Sequence, residues 1–114
     1  MLFSCSLKIR FREENLFYGP GVNQLLHMVE KEKSLAGAAF SMRMSYSKAW
    51  KIIREAERSL GYPLTEKSIG GSDGGGSLLT EQGRSFMQRY DAFSLEAGKA
   101  VDSCFQTYFP EANQ

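Results

Sequence analysis

Between Ser45 and Arg58 the chain carries hydroxyls and cations at helical spacing: Ser45, Ser47, Lys48, Lys51, Arg54 and Arg58. With successive residues turned by about 100°, Ser47, Lys51, Arg54 and Arg58 gather on one side, with Lys48 on the flank. Tyr46, Ala49, Ile52, Ile53, Ala56 and Leu60 gather opposite. Hydroxyl, ammonium and guanidinium groups on one helix face are donors for base edges and phosphate oxygens. The chemistry offered is recognition of a polyanion, not bond-making. Early residues of such a helix reach deepest, so Ser45, Ser47, Lys48 and Lys51 are expected at base edges or the groove floor. Arg43, Arg54 and Arg58 are expected at phosphates, which position without reading sequence. By phase, Tyr46 falls on the apolar side and Trp50 at the boundary. Both are expected to pack, Trp50 bracing the helix against a neighbouring strand.

Catalysis has little to work with. His27 is the only histidine and has no metal-ligand spacing with Cys5 or Cys104. No serine sits in a nucleophile elbow. The glycine cluster Gly70, Gly71, Gly74, Gly75, Gly76 is not followed by Lys-Ser/Thr and opens no G-x-G-x-x-G helix. No catalytic residue, metal site or cofactor is expected, and no enzyme. Cys5 and Cys104, far apart in apolar alternation, are expected as buried free thiols rather than a disulfide.

The helix needs a scaffold, and 114 residues suffice for a single domain, 1–114, with one modest core. Hydrophobic content of 42% and charged content of 24% are those of a globular chain. A net charge of +1 lacks the basic excess of many nucleic-acid binders, so contact must rest on local segregation of charge. Between Ser41 and Gly71 that segregation exists: Arg43, Lys48, Lys51, Arg54, Arg58 and Lys67 stand against Glu55, Glu57 and Glu66. The opening residues lack the pattern of a secretory leader, and no apolar run suits a bilayer. A cytoplasmic location with no membrane partner is expected.

Residues 3–18 read as an N-terminal β-hairpin. Leu7, Ile9 and Phe11 alternate with Lys8, Arg10 and Arg12, whose basic face is expected to be solvated. Residues 20–33 form a support helix opened by Pro20. Residues 34–61 form a helix-turn-helix. Ser34 caps a short helix with Leu35, Ala38, Ala39 and Met42 on its inner face; Ser41 to Met44 turn, and Ser45 caps the longer helix. Residues 64–79 form a wing, where Gly71, Ser72, Gly74 and Gly75 let backbone approach a phosphodiester. Thr80 caps a C-terminal helix over 80–109, stopped by Pro110. Its apolar residues Phe86, Tyr90, Phe93, Ala97, Val101, Cys104 and Tyr108 step by three and four, close to a coiled-coil seam. A helix on the order of 40 Å long outruns so small a domain, so its far half is expected to meet a second copy. The fold class is mainly α with a small β component: a winged helix-turn-helix with an N-terminal hairpin and a long C-terminal dimerisation helix.

Several motifs, taken in order, carry a resemblance: Ser45-Tyr46-Ser47-Lys48-Ala49-Trp50, Pro63-Leu64, Gly70-Gly71, Gly74-Gly75-Gly76 and Leu79-Thr80-Glu81-Gln82-Gly83-Arg84. Together they resemble the N-terminal winged helix-turn-helix domain of the ModE molybdate-dependent regulator family, itself LysR-like. The Gly19-Pro20-Gly21 start of the support helix resembles short, free-standing relatives. The resemblance implies a dimeric transcription regulator. By match, Ser45, Tyr46, Ser47, Lys48 and Trp50 take the recognition-helix role and Gly70 to Gly76 the wing. The chain departs from the family at Arg43, where relatives have a turn glycine. It departs again at Ser72-Asp73, where the wing lysine is lost and a negative charge added. The family's oxyanion-binding domains have no counterpart before Gln114, so molybdate is not expected to bind this chain.

The expected function is sequence-specific binding of double-stranded DNA by a homodimer, with the recognition helix in the major groove and the wing at the flanking backbone. The alternative is a winged-helix protein-interaction module that has lost DNA binding, which the low net charge and acidic wing tip would suit.

Overall fold

A computed structural model of the chain describes residues 2–68 and 76–113. A short hairpin of β1 (Phe11–Arg12) and β2 (Leu16–Tyr18) leads into α1 (Pro20–Glu32), α2 (Leu35–Ser41) and α3 (Tyr46–Leu60). A second antiparallel pair follows, β3 (Thr65–Ser68) with β4 (Gly76–Leu79), then α4 (Glu81–Tyr108) and a single 3-10 turn, Pro110–Ala112. Thr65 stands opposite Leu79 and Ser68 opposite Gly76. This is the expected winged helix-turn-helix.

Local chemistry sets the boundaries. The Gly37, Lys48 and Gly83 amides donate to the hydroxyls of Ser34, Ser45 and Thr80 at 2.9, 3.1 and 2.9 Å, so each of these three helices opens on a hydroxyl cap. Gly61, at φ 83°, ends α3 in the left-handed conformation that glycine adopts freely. Pro63 then directs the chain into the wing.

One core joins the hairpin, α1 to α3, the base of the wing and the start of α4. Leu25, Leu26 and Val29 of α1 are sealed beneath Leu35, Ala38 and Ala39 of α2 and Ala49, Ile53 and Ala56 of α3. Alanines on both α2 and α3 let the two helices cross closely. Leu64, Leu79 and Met87 close the wing side, while Tyr18 and Tyr90 close the hairpin side. Two glycines mark places where backbone meets backbone. A side chain at Gly76 would strike the Lys33 carbonyl, and one at Gly83 the Leu64 carbonyl.

The structure corrects three expectations. The strand expected over 3–12 shrinks to Phe11–Arg12. Residues ahead of it run antiparallel along α4 instead: Phe3 N donates to Ala112 O at 3.2 Å, and Tyr90 Oη donates to Ile9 O at 2.7 Å. A helix engages its own backbone groups and offers no ladder, so the alternation persists without a strand. Ile9 and Phe11 reach the core edge, whereas Leu7 stays exposed. The two cysteines are free but exposed, not buried. Cys5 lies in the irregular lead, and Cys104 lies on the part of α4 beyond the core. Finally, Phe86 and Tyr90 belong to the chain's own core rather than to a free seam: Tyr90 is 5% exposed and both rings pack edge-on against Tyr18. Beyond Tyr90 no residue of α4 is buried. Phe93 is 50% and Tyr108 73% exposed, while Ala97 and Val101 are half-buried and Cys104 is exposed.

Candidate nucleic-acid interface

The face built by α3 begins at its cap. Ser45 holds the Lys48 amide, and Ser47, Lys48, Lys51, Arg54 and Arg58 all stand exposed. Lys48 and Lys51 have no carboxylate within ion-pair distance among the described residues, so both ammonium groups are free for phosphate or base oxygens. Arg54 is engaged on one side: its Nη1 lies 3.0 Å from Glu57 Oε1, and its guanidinium sits over the Trp50 ring at 5.2 Å. Arg58 shares a groove with Glu13, Glu14 and Glu55, so the C-terminal half of α3 is flanked by negative charge. The basic character of the face is concentrated in its first turns.

Tyr46 and Trp50 depart from expectation. Both are exposed, at 53% and 47%, rather than packed into the core. Tyr46 shares the phase of Ala49 and Ile53 but opens α3, where no core residue covers it. Among the described residues the partner of Trp50 is Arg54 of its own helix, whose guanidinium lies over the Trp50 ring. The outer face of α3 therefore presents two aromatic rings among its cations.

Arg43 occupies the turn between α2 and α3 with φ 56°. This is the left-handed conformation that costs an L-residue about 1–2 kcal/mol. Arg43 is exposed, and its backbone amide donates to Phe40 O at 3.1 Å. Gly71, Ser72, Gly74 and Gly75, the expected wing contacts, lie outside the described residues, as does Asp73.

Two polar networks that support this face escaped the sequence reading. In the first, Glu57 is buried and its Oε2 accepts from the Leu64 amide at 2.7 Å and from Thr65 at 3.4 Å, tying the wing's first strand to α3. Thr80 completes the joint by donating to Pro63 O at 2.7 Å. The signal lay in phase: Glu57 is a carboxylate among the apolar positions Ile53, Ala56 and Leu60. In the second, Tyr18 Oη donates to Asn23 Oδ1 at 2.6 Å, Asn23 Nδ2 donates to Asp91 Oδ1 at 2.7 Å, and His27 Nε2 meets Asp91 Oδ2 at 2.8 Å. Asp91 thereby bolts α4 to α1. Burial, with the Asp91 charge adding to it, pushes the Tyr18 phenol well above its usual range. His27 serves this joint. Among the described residues no group of three or more metal-ligating side chains gathers, and no helix is long and apolar enough to cross a membrane.

A family model described as bacterial regulatory helix-turn-helix protein, lysR family, matches residues 23–84, which run from α1 through the wing into α4. The chain is 32% identical over 90 residues to the DNA-binding transcriptional dual regulator ModE of Escherichia coli (strain K12), covering 79% of this chain and 34% of that one. It is 35% identical over 79 residues to the molybdenum transport protein ModE of Azotobacter vinelandii, covering 69% of this chain and 29% of the relative. The chain thus spans about a third of the length of the curated relatives it matches. Its fold is similar to the solved CbnR_DBD–DNA complex (TM-score 0.59, 22% identity, 77% of this chain and 95% of that one). It is likewise similar to the BenM_DBD/benA site 1 DNA complex (TM-score 0.54, 18% identity, 77% and 93%). With the matched region holding the helix-turn-helix, the Ser45-capped α3 and the base of the wing, the chain belongs to the lysR family of bacterial regulatory helix-turn-helix proteins.

Proposed function

We propose that the chain regulates transcription by binding double-stranded DNA as a homodimer, with α3 in the major groove. The observation that carries this reading is the pair Lys48 and Lys51: exposed, free of ion pairs, and set in the first turns of a Ser45-capped helix backed by an alanine-lined crossing. Ser45, Tyr46, Ser47, Lys48 and Lys51 approach base edges and the groove floor. Arg43, Arg54 and Arg58 hold phosphates, Arg54 with the donors it does not spend on Glu57. Gly71, Ser72, Gly74 and Gly75 of the wing meet the flanking backbone. The dimer forms through the projecting part of α4, from Phe93 through Ala97, Val101 and Cys104 to Tyr108. Its exposed apolar surface supports that role, and the similarity to relatives named as transcriptional regulators supports the regulatory reading.

The test is fluorescence anisotropy on a duplex taken from upstream of the chain's own gene. Lys48→Ala with Lys51→Ala is expected to weaken binding to this duplex more than to an unrelated duplex of equal length, as lost base contacts relax specificity. A double variant that binds as tightly as the parent overturns the assignment of this face.

A further inference from the structure

We propose that Lys8 and Arg10, ahead of β1, grip the DNA sugar–phosphate backbone beside the first turns of α3. The N-terminal segment would then be a second flank of the interface, on the side away from the wing. This rests on the reading of α3 as the DNA-contacting helix and extends the contact to residues outside the helix-turn-helix.

The basic face of this segment has a specific neighbour. Lys8, Arg10 and Lys48 line one open groove of about 380 Å³, whose floor includes Met44 and Ile52 and whose one carboxylate is Glu55. Lys8 and Arg10 are exposed and, like Lys48, have no ion-pair partner among the described residues. Three unpaired cations around one groove repel one another, and an anion bridging them relieves that repulsion. The groove is continuous with the proposed DNA face through Lys48, which belongs to both.

Position favours a backbone phosphate as the occupant. The stem of Arg10 lies against the start of α1, its Cγ 3.0 Å from where a Gly19 side chain would begin. At the other end of α1, the Ser77 amide of the wing donates to Lys33 O at 3.0 Å. The thirteen residues of α1 separate these two ends. At 1.5 Å per residue that is about 20 Å, enough to straddle a major groove about 12 Å wide. The neighbouring groove around Arg58 carries Glu13, Glu14 and Glu55, which confines the cationic flank to the leading half of α3.

The experiment measures anisotropy against salt on two duplexes of equal length, one from upstream of the chain's own gene and one unrelated. Lys8→Gln with Arg10→Gln is compared with a charge-matched control on α4, Arg89→Gln with Lys99→Gln. Phosphate contacts predict that the Lys8/Arg10 pair loses about 1.8 from the log–log salt slope. They also predict that affinity falls by a similar factor on both duplexes, on the order of tenfold or more at 0.1 M salt, while the control changes little. An unchanged slope, or an equal loss in the control, overturns the proposal. In either case the reading of α3 still stands if Lys48→Ala with Lys51→Ala weakens binding. Parent protein that binds neither duplex overturns both.

Discussion

Glu57 Oε2 accepts the Leu64 amide at 2.7 Å, so a buried carboxylate ties α3 to the base of the wing. Glu57→Ala leaves the buried Leu64 amide without this partner, which costs about 1–3 kcal/mol. Glu57→Gln retains an acceptor oxygen and is expected to cost less. Thermal unfolding of the two variants checks this ordering; equal losses would mean that the hydrogen bond is not what holds the joint.

Arg43 separates stability from binding. At φ 56°, replacement by glycine removes a left-handed penalty of about 1–2 kcal/mol, offset in part by glycine's greater freedom in the unfolded chain. Arg43→Gly is expected to raise the unfolding midpoint modestly while weakening duplex binding through loss of the proposed phosphate contact. Chemical denaturation and anisotropy on the same sample report the two signs.

Tyr18 gives stability an alkaline edge. Near pH 10 the phenol in the unfolded chain gives up its proton, whereas the buried one, raised by desolvation and by Asp91, retains it. The unfolded state then binds fewer protons, so stability falls as pH climbs above 10, by at most about 1.4 kcal/mol per pH unit from this group, and below that it adds no slope. Tyr18→Phe loses the hydrogen bond to Asn23, about 1 kcal/mol, and shows a shallower alkaline decline. Tyr90, which burial also raises, contributes to the decline in the same direction. Urea titrations at pH 8 and pH 10.8 measure both effects.

The projecting half of α4 should govern self-association. Val101→Asp places a charge in the proposed seam and is expected to shift the protein toward monomer in sedimentation velocity, with the unfolding midpoint of the monomeric body little changed. A monomeric parent, or a variant that still dimerises, would remove α4 as the interface.

Much of this was legible because local rules and global packing agree. Ser34, Ser45 and Thr80 announced their helices, since a hydroxyl ahead of an apolar stripe has few other uses. Pro63 and Pro110 marked endings for steric reasons written into their rings. What escaped depended on distant neighbours. The alternation ahead of β1 was right in phase but said nothing about its partner, which proved to be a helix. Tyr46 carried the apolar phase of Ile53, yet phase does not report whether another element reaches that end of α3. Asp91 and Asn23, sixty-eight positions apart, gave no local sign of their bond. The closeness of Lys8 and Arg10 to Lys48 likewise exists only once the hairpin has folded back across α3.

The Asp91 joint also has a mechanical meaning. Beyond it, α4 continues to Tyr108 without burying a residue, a shaft of about 25 Å at 1.5 Å per residue. If two such shafts are clasped together, a tilt of about 10° at this root sweeps the far end of the shaft by about 4 Å. That is more than the 3.4 Å rise of a single base-pair step. His27, Asn23 and Asp91 are then the fulcrum that sets how far apart two reading heads stand along a duplex.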